Sequence, residues 1–272
     1  CMHVAIVTET YPPDINGVAL TVRELERGLA ARGHRVHTVR PRPAREGDGG
    51  PADLLVDAWP VPRYPGLRMG RPCALRLRRH WRDARPDAVY IATEGPLGMS
   101  ALWAARALGI PVATGFHTRF DTYLRDYGVG LLAGVARAWM RGFHARGQAT
   151  LVPTRALADE LAADGYRHVV QLARAVAARL FHPGRRDESL RAEWGAHAGT
   201  PVLLHLGRLA PEKNLPLAVR AFEAALAARP DARVVWVGDG PAREALQAEH
   251  PHHVFCGMRR GEDLARHVAS AD

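Results

Sequence analysis

The chain has 272 residues, 47% of them hydrophobic, which suits one large or two ordinary domains with buried cores. No apolar run approaches the ~20 residues of a membrane-spanning helix, and the amino terminus lacks the basic and apolar segments of a signal peptide. The three cysteines, Cys1, Cys73 and Cys256, are far apart, which argues against a disulfide framework or a C-x-x-C zinc site and favours a cytoplasmic location.

The net charge of +9 at pH 7 suggests an anionic partner: nucleic acid, anionic lipid or a phosphate-bearing substrate. A general bias toward arginine explains the charge equally well, because only one of the 37 basic residues is lysine. No zinc-finger spacing or RNP-like aromatic motif occurs, so we expect no nucleic-acid partner.

Strands and helices alternate along the first two thirds of the chain. Apolar residues recur at helical spacing from Val18, and Gly33 ends that helix. Continuous apolar strands between amphipathic helices are typical of a parallel sheet covered on both faces, and therefore of an α/β fold. The pattern also predicts helices over 97–108 and 155–163, and strands over 2–8, 34–39, 54–61, 88–93, 111–116 and 149–153.

A second α/β unit begins near Gly184. Its predicted strands span 202–206, 233–237 and 253–256, and its predicted helices span 188–194, 215–229 and 242–249, followed by a last helix. Parallel sheets of this class normally have five or six strands, and a shorter sheet exposes an apolar edge. We therefore expect the natural protein to extend beyond this chain.

The single lysine, Lys213, lies in a loop that follows an apolar strand and precedes a helix. Such a loop, with Gly207 and Arg208 in it, is where phosphate binds in α/β folds. Lysine supplies a compact charge that arginine does not reproduce. The alternative is a surface lysine retained by chance.

The first strand-to-helix turn, residues 9–17, is too long and too poor in glycine for a G-x-G-x-x-G dinucleotide turn, which argues against an NAD enzyme. Gly17 either brings the backbone close to a ligand at a helix N-terminus or simply forms the turn. Gly238 and Gly240 follow another strand and allow the same two interpretations. His117 follows the strand over 111–116, at the strand end where α/β sheets place their sites.

Four sequence blocks, which begin at Val7, Gly115, His205 and Trp236, resemble the retaining GT-B glycosyltransferases of family 4. The blocks occur in family order, and the similarity runs from residue 2 to residue 272. Within the family, the chain is similar to bacterial mannosyl- and glucosyltransferases that use nucleotide sugars. The resemblance implies two Rossmann-like domains with parallel sheets that face each other across a cleft, the second of them incomplete here.

The resemblance also implies a division of labour along the chain. Residues 2–173 would form the acceptor-binding domain, 174–184 the linker, and 185–272 part of the nucleotide-sugar domain. The donor would be bound by Gly17, Gly207, Arg208, Lys213, Gly238 and Gly240, and the helix that follows Asn214 would add its positive dipole end. The acceptor would be bound by Glu9, Tyr11, Asn16, Thr118 and Arg119.

By the same resemblance, His117, Arg208 and Lys213 would be catalytic, with His117 on the transferred sugar and the two cations on the diphosphate. Cleavage of a sugar–phosphate bond leaves growing negative charge, which preset cations and backbone N–H groups stabilise. No D-x-D metal-binding motif occurs, so we expect neither a metal nor a cofactor.

The chain departs from the family pattern at two places. The family's E-x7-E motif would follow Asp272. The interdomain R-G-V-D stretch reads Arg174, Ala175, Val176, Ala177 here, so alanine replaces both the glycine and the aspartate. These departures motivate an alternative function, that of a truncated and inactive remnant that binds only acceptor or membrane.

The segment from Arg63 to Arg85 contains eight arginines interspersed with apolar residues. Such a segment suits an anionic membrane surface, at the inner face of the membrane, where each basic residue contributes ~1 kcal/mol. A solvated arginine-rich helix explains the pattern as well.

The sequence therefore predicts an enzyme that moves a hexose, mannose or glucose, from a nucleotide-diphosphate sugar to a lipid or saccharide acceptor with retention of configuration. A GT-B sugar-nucleotide epimerase is a further alternative.

Overall fold

The computed structural model describes residues 1–12, 14, 16–43, 54–60, 68–117, 133–174 and 176–272. The chain divides into two compact units, Cys1–Ala175 and Val176–Asp272. The division falls within the stretch that we expected to be the linker. The assignment of acceptor to the first unit and donor to the second stays a prediction.

Unit 1 is built on a parallel sheet whose seven described strands have the order β3-β2-β1-β6-β7-β8-β9. These strands are β1 (His3–Val7), β2 (Arg35–Pro41), β3 (Leu54–Val56), β6 (Ala88–Ile91), β7 (Val112–Gly115), β8 (Ala149–Val152) and β9 (Val169–Gln171). A separate antiparallel ribbon pairs β4 (Ala58–Pro60) with β5 (Arg68–Gly70). The chain leaves β1 toward β2 on one side and reaches β6 on the other, so the ends of β1 and β6 flank the switch point where α/β sheets bind ligands.

Helices cover both faces of this sheet. They are α1 (Gly17–Ala31), α2 (Ala74–Asp83), α3 (Pro96–Ala107), α4 (Ala133–His144) and α5 (Arg155–Ala163). One face packs Val7 and Ile91 against Leu77 and Leu97 of α2 and α3. Ile6, on the opposite face, packs with Val22 of α1. Alternate residues of each strand therefore enter different cores, as the pleat requires.

The predicted strand over 54–61 is wrong as one element. Leu54–Val56 joins the edge of the large sheet, whereas Ala58–Pro60 belongs to the two-stranded ribbon. Arg71 donates its backbone N–H to the Asp57 carbonyl at 2.7 Å, where the chain turns from one sheet into the other. An apolar run specifies strand character but does not specify which sheet each half will join.

Unit 2 contains a three-stranded parallel sheet, β10 (Val202–Leu206), β11 (Arg233–Val237) and β12 (Val254–Gly257), in that order. On one face pack α6 (Glu188–Glu193) and α9 (Gly261–Ala269), and on the other pack α7 (Leu215–Ala228) and α8 (Arg243–Glu249). Two short 3₁₀ turns, Pro183–Arg185 and Pro211–Lys213, complete the described elements. The predicted order of strands and helices in this unit is confirmed, as is the α/β fold with parallel sheets in both units.

In the part of the chain that the structure describes, no helix has both the length and the apolar character to cross a membrane.

Candidate functional site

Glu9 lies just beyond β1 and is held by the loops around the switch point. Its carboxylate accepts the backbone N–H of Gly70 at 2.5 Å and that of Leu97, in the first turn of α3, at 2.9 Å. Burial raises the pKa of Glu9 to about 7, against the lowering effect of these bonds. A Cβ at Gly95 would collide with the Glu9 carboxylate, so a substitution there would displace Glu9 from these bonds. Glu9 therefore joins the end of β1 to the start of α3.

Asn16 and Tyr11 shape the loop between β1 and α1. Asn16 caps α1 by accepting the Ala19 N–H at 2.9 Å, and its amide donates to the Thr10 hydroxyl at 2.7 Å. Tyr11 donates its hydroxyl to Glu26, and its ring lies 4.6 Å from the Arg40 guanidinium. The polar atoms of these two predicted acceptor ligands are thus engaged within the unit, and their acceptor role stays a prediction.

His117, Gly17 and Arg174 come together at the carboxyl edge of the unit 1 sheet. A hydrogen bond of 2.8 Å joins His117 Nε2 to the Tyr90 hydroxyl, while Nδ1 is buried with no partner among the described residues. The Arg174 guanidinium lies 3.4 Å from where a Cβ would stand on Gly17. Burial, with smaller contributions from Arg174 and His144, lowers the pKa of His117 to about 4. His117 is therefore a neutral imidazole at pH 7, beside the exposed cation Arg174.

The buried residue His144 was not anticipated from the sequence. His144 of α4 bonds Thr114 through Nδ1 at 2.7 Å and Glu94 through Nε2 at 3.0 Å. Glu94 is 7% exposed and follows β6 at the same edge as Glu9. No sequence motif predicts the His144–Glu94 pair, because the two residues are 50 positions apart in the chain.

In unit 2, the loops after β10 and β11 interlock through their backbones. Leu209 donates to the Asp239 carbonyl at 2.9 Å, and Ala242 donates to the Leu209 carbonyl at 2.9 Å. Cβ atoms at Gly238 and Gly240 would collide with the carbonyl oxygens of Gly207 and Leu209. The two glycines therefore allow this close approach, which fixes the position of the Arg208 loop.

The cations of this loop project beside the start of α7. Arg208 forms an ion pair of 3.5 Å with Glu212 and keeps 46% of its side chain exposed. Lys213 is exposed and has no ion pair with a described residue. Burial and the neighbouring Lys213 lower the pKa of His205, at the end of β10. Asn214, in the left-handed conformation at φ 48°, precedes α7 without capping it through its side chain.

The structure therefore brings Gly207, Arg208, Lys213, Gly238 and Gly240 together within unit 2, and groups His117 with Gly17 in unit 1. Thr118, Arg119 and Ala175 lie outside the described residues. Sequence reasoning did not identify Arg174, Tyr90 or His205 as members of these groups. Their proximity depends on tertiary packing rather than on any local spacing.

A metal-binding group of three or more His, Cys, Asp or Glu side chains does not occur in the described ranges. Arg208 and Lys213, both exposed, and Arg174 beside His117 are cations in these groups, which suit an anion.

Comparison with protein-family models gives two matches. The family described as Glycosyltransferase Family 4 matches residues 15–170, and Glycosyl transferases group 1 matches residues 200–272. The chain is 37% identical over 279 aligned residues to a GDP-mannose-dependent alpha-mannosyltransferase of Mycolicibacterium smegmatis, with 100% of the chain and 72% of the relative covered.

Two further relatives extend the comparison. The chain is 33% identical to the GDP-mannose-dependent alpha-mannosyltransferase of Corynebacterium glutamicum and 25% identical to the alpha-monoglucosyldiacylglycerol synthase of Streptococcus pneumoniae. Each alignment covers 100% of the chain and 65% of the relative.

Solved structures agree on the fold. Anabaena HepE in complex with UDP and glucose superposes with a TM-score of 0.67 at 16% identity, covering 100% of this chain and 73% of that one. A UDP-GlcNAc 2-epimerase of Methanocaldococcus jannaschii gives a TM-score of 0.55 at 12% identity, covering 99% and 77%. The fold alone thus does not separate transferases from epimerases, whereas the family match and the 37% identity do. The chain belongs to glycosyltransferase family 4, with the GT-B fold and the glycosyltransferase function of that family.

Proposed function

We propose that this glycosyltransferase moves a mannosyl group from GDP-mannose to a hydroxyl group of a lipid or saccharide acceptor, with retention of configuration. The observation that carries the proposal is the 37% identity, over the whole chain, to a GDP-mannose-dependent alpha-mannosyltransferase. Glucose from a UDP-sugar is the second candidate, because the more distant relatives include a glucosyldiacylglycerol synthase.

In this proposal, Arg208, Lys213 and the first turn of α7 bind the donor diphosphate. Lys213 is exposed, and the start of α7 lacks a side-chain cap, so both offer positive potential to an anion. As the sugar–phosphate bond breaks, negative charge grows on the leaving diphosphate. Cations that are already in position stabilise that charge without reorganising, and no metal or cofactor is needed in this scheme.

His117 contacts the transferred sugar in the same proposal, with Gly17 providing close backbone approach at the start of α1. A neutral imidazole exchanges hydrogen bonds with sugar hydroxyls without adding a charge to be desolvated. The low pKa of His117, about 4, supports this role because it keeps the ring neutral throughout the neutral range. Glu9, Tyr11, Asn16, Thr118 and Arg119 are proposed to position the acceptor. The proposed location is the cytoplasmic side of a membrane, which the enzyme contacts peripherally.

The donor is tested by titration calorimetry of the protein with GDP-mannose, UDP-glucose, GDP and UDP. We expect GDP-mannose and GDP to bind and the uridine compounds to bind at least tenfold more weakly. Tighter binding of UDP-glucose than of GDP-mannose would identify glucose as the transferred sugar. Binding of neither donor would favour the inactive remnant, to which the alanine at position 177 points.

Retention and reaction class are tested on the product. Transfer to a hydroxylated acceptor should give the α-anomer by NMR, and chelation of divalent metals should leave the rate unchanged. Release of an epimerised sugar without any acceptor would identify an epimerase, and a β-linked product would refute retention.

A further inference from the structure

An apolar cleft of about 740 Å³ opens in unit 1 between α2, α3 and α4. We call it the tryptophan cleft. Leu75, Met99, Trp103 and Trp139 line the cleft, together with Glu94 and Gly95. Its volume lies within the ~300–1,000 Å³ of pockets that hold small organic ligands. Trp103 and Trp139 are 47% and 50% exposed, which leaves large apolar area accessible to an occupant.

The end of the cleft that Glu94 and Gly95 line adjoins the candidate site. Gly95 packs against the Glu9 carboxylate, which stands just beyond β1 at the switch point of the sheet. Glu94, at the same end, is bonded to His144 at 3.0 Å, and its backbone carbonyl accepts the Trp139 indole N–H at 3.2 Å. Oε1 and the backbone carbonyl of Glu94 are thus bonded within the unit, so an apolar group can occupy the cleft without stripping water from either atom.

One arginine of α2, Arg78, lies at the rim of the cleft. The Arg78 guanidinium lies 6.0 Å from the centre of the Trp103 ring. Arg76, Arg79 and Arg82 are exposed and have no ion pair with a described residue. An occupant with an apolar chain and an anionic or strongly polar head matches this combination of walls and rim.

The helix itself does not offer an apolar face to a bilayer. Leu77 and Trp81, the apolar residues on its inner side, are both 0% exposed and belong to the core under the sheet. A surface contact through α2 is therefore restricted to charge and to Leu75 at the mouth of the cleft. Apolar contact with a lipid has to be made in the tryptophan cleft instead.

We propose that the tryptophan cleft binds one acyl chain of the lipid acceptor, with the polar head of that lipid beside Arg78. The inference rests on the proposed function, since it selects lipid over saccharide as the acceptor class. Rigid aromatic walls bind a methylene chain through buried apolar area, and Arg78 binds the head.

The test is quenching of tryptophan fluorescence by 9,10-dibromostearate, used at monomeric concentration with no donor present. Bromine quenches an indole only at contact, so the measurement reports which tryptophan touches the chain. Among the six tryptophans, Trp81, Trp194 and Trp236 are buried, whereas Trp59 is 44% exposed, outside the cleft, and lies 5.4 Å from the Arg71 guanidinium. Trp59 is therefore a matched control for Trp103.

We expect dibromostearate to quench the parent protein saturably and unbrominated stearate to compete. Quenching should be lost in the double variant Trp103→Phe/Trp139→Phe and retained in Trp59→Phe, with circular dichroism confirming that both variants are folded. Unchanged quenching in the double variant, equal loss in Trp59→Phe, or no quenching of the parent would overturn the proposal. Protection by methyl α-mannoside rather than by stearate would overturn it in favour of a saccharide stacked on the tryptophans. Because no sugar transfer is measured, failure here leaves the donor proposal untouched, and failure of the donor titration leaves this result readable.

Discussion

Lys213 is exposed and close to an uncapped helix start, so its charge is available to a ligand. We expect Lys213→Ala to lower kcat/KM for sugar transfer by ~10²-fold, because one preset cation contributes a few kcal/mol to stabilisation of the leaving diphosphate. Arg220→Ala, which removes an exposed cation from the middle of α7, is the matched control and should change kcat/KM by less than about twofold. Equal effects of the two substitutions would contradict a specific role for Lys213.

Arg174 is the residue that the sequence did not connect with His117. Its guanidinium helps to lower the pKa of that histidine, although burial is the larger cause. We expect Arg174→Gln to raise the pKa of His117 above its value of about 4, yet leave it below 6.5, because burial persists. An NMR titration of the imidazole resonances measures the shift, and Arg167→Gln, which removes an exposed cation elsewhere, should leave the pKa unchanged. An unaltered pKa of His117 in Arg174→Gln would show that Arg174 does not influence that histidine.

The interlocked loops after β10 and β11 are the element on which the position of the Arg208 loop depends. A methyl group at Gly238 would collide with the Gly207 carbonyl, and the φ of +137° is strained for any L side chain. We expect Gly238→Ala to destabilise unit 2 by more than about 2 kcal/mol in guanidinium unfolding.

Gly199→Ala is the matched control for that substitution. Gly199 also has a positive φ, +82°, but nothing lies within 4 Å of the added methyl group. Its cost should be limited to about 1 kcal/mol of backbone strain. If the two variants are equally stable, close approach of the loops is not what requires Gly238.

Helix α2 presents arginines to solvent while its apolar side is buried in the core. We expect the triple variant Arg76→Gln/Arg79→Gln/Arg82→Gln to bind vesicles that contain phosphatidylglycerol about 10²-fold more weakly, at ~1 kcal/mol per basic residue. Sedimentation with vesicles measures the binding, which should also weaken as salt is raised.

The control is a triple variant with the same change in net charge on other helices, Arg27→Gln/Arg106→Gln/Arg220→Gln, all three at exposed positions. Equal weakening by both triple variants would mean that the total charge of +9, rather than α2, determines attraction to the membrane.

Sequence patterns located the elements of unit 2 closely, because each of its strands is a compact apolar run followed by a glycine or polar turn. The strand over 202–206 and the strand over 233–237 have the predicted bounds. Unit 1 was predicted less completely: α4, with Trp139 and His144, was missed, and so was β9. The three residues of β9 form a strand by pairing with β8. A long-range pairing of this kind cannot be predicted from a local sequence pattern.

A histidine cluster near the amino ends of β1 and β2 in unit 1 makes the stability of the molecule depend on pH. His37 bonds His3 at 2.8 Å and accepts the Trp81 indole N–H at 3.1 Å, and burial, ahead of neighbouring cations, lowers its pKa to about 4. Between pH 6.5 and 4 the unfolded chain binds a proton at this site that the folded chain does not. The stabilisation is therefore present above pH 6.5 and is lost as the pH falls toward 4.

We expect the free energy of unfolding to fall less steeply between pH 6.5 and 4.5 in His37→Gln than in the parent, as measured by guanidinium unfolding. Glu9, with its pKa raised to about 7, has the opposite pH dependence, so only the difference between variant and parent isolates His37. His197→Gln, at an exposed histidine, should retain the parent's slope. If the free energy of unfolding has the same slope against pH in all three proteins, the cluster does not contribute to the loss of stability in acid.

The scarcity of primary amines has a practical consequence for chemistry on this protein. Lys213 is the one lysine among these 272 residues, so it is the single side-chain target of an amine-selective reagent in this sequence. A fluorophore or isotopic tag on a side-chain amine is therefore placed in the loop after β10 without mutagenesis. Shielding of that amine from acylation by a nucleotide would then serve as a direct footprint of ligand occupancy.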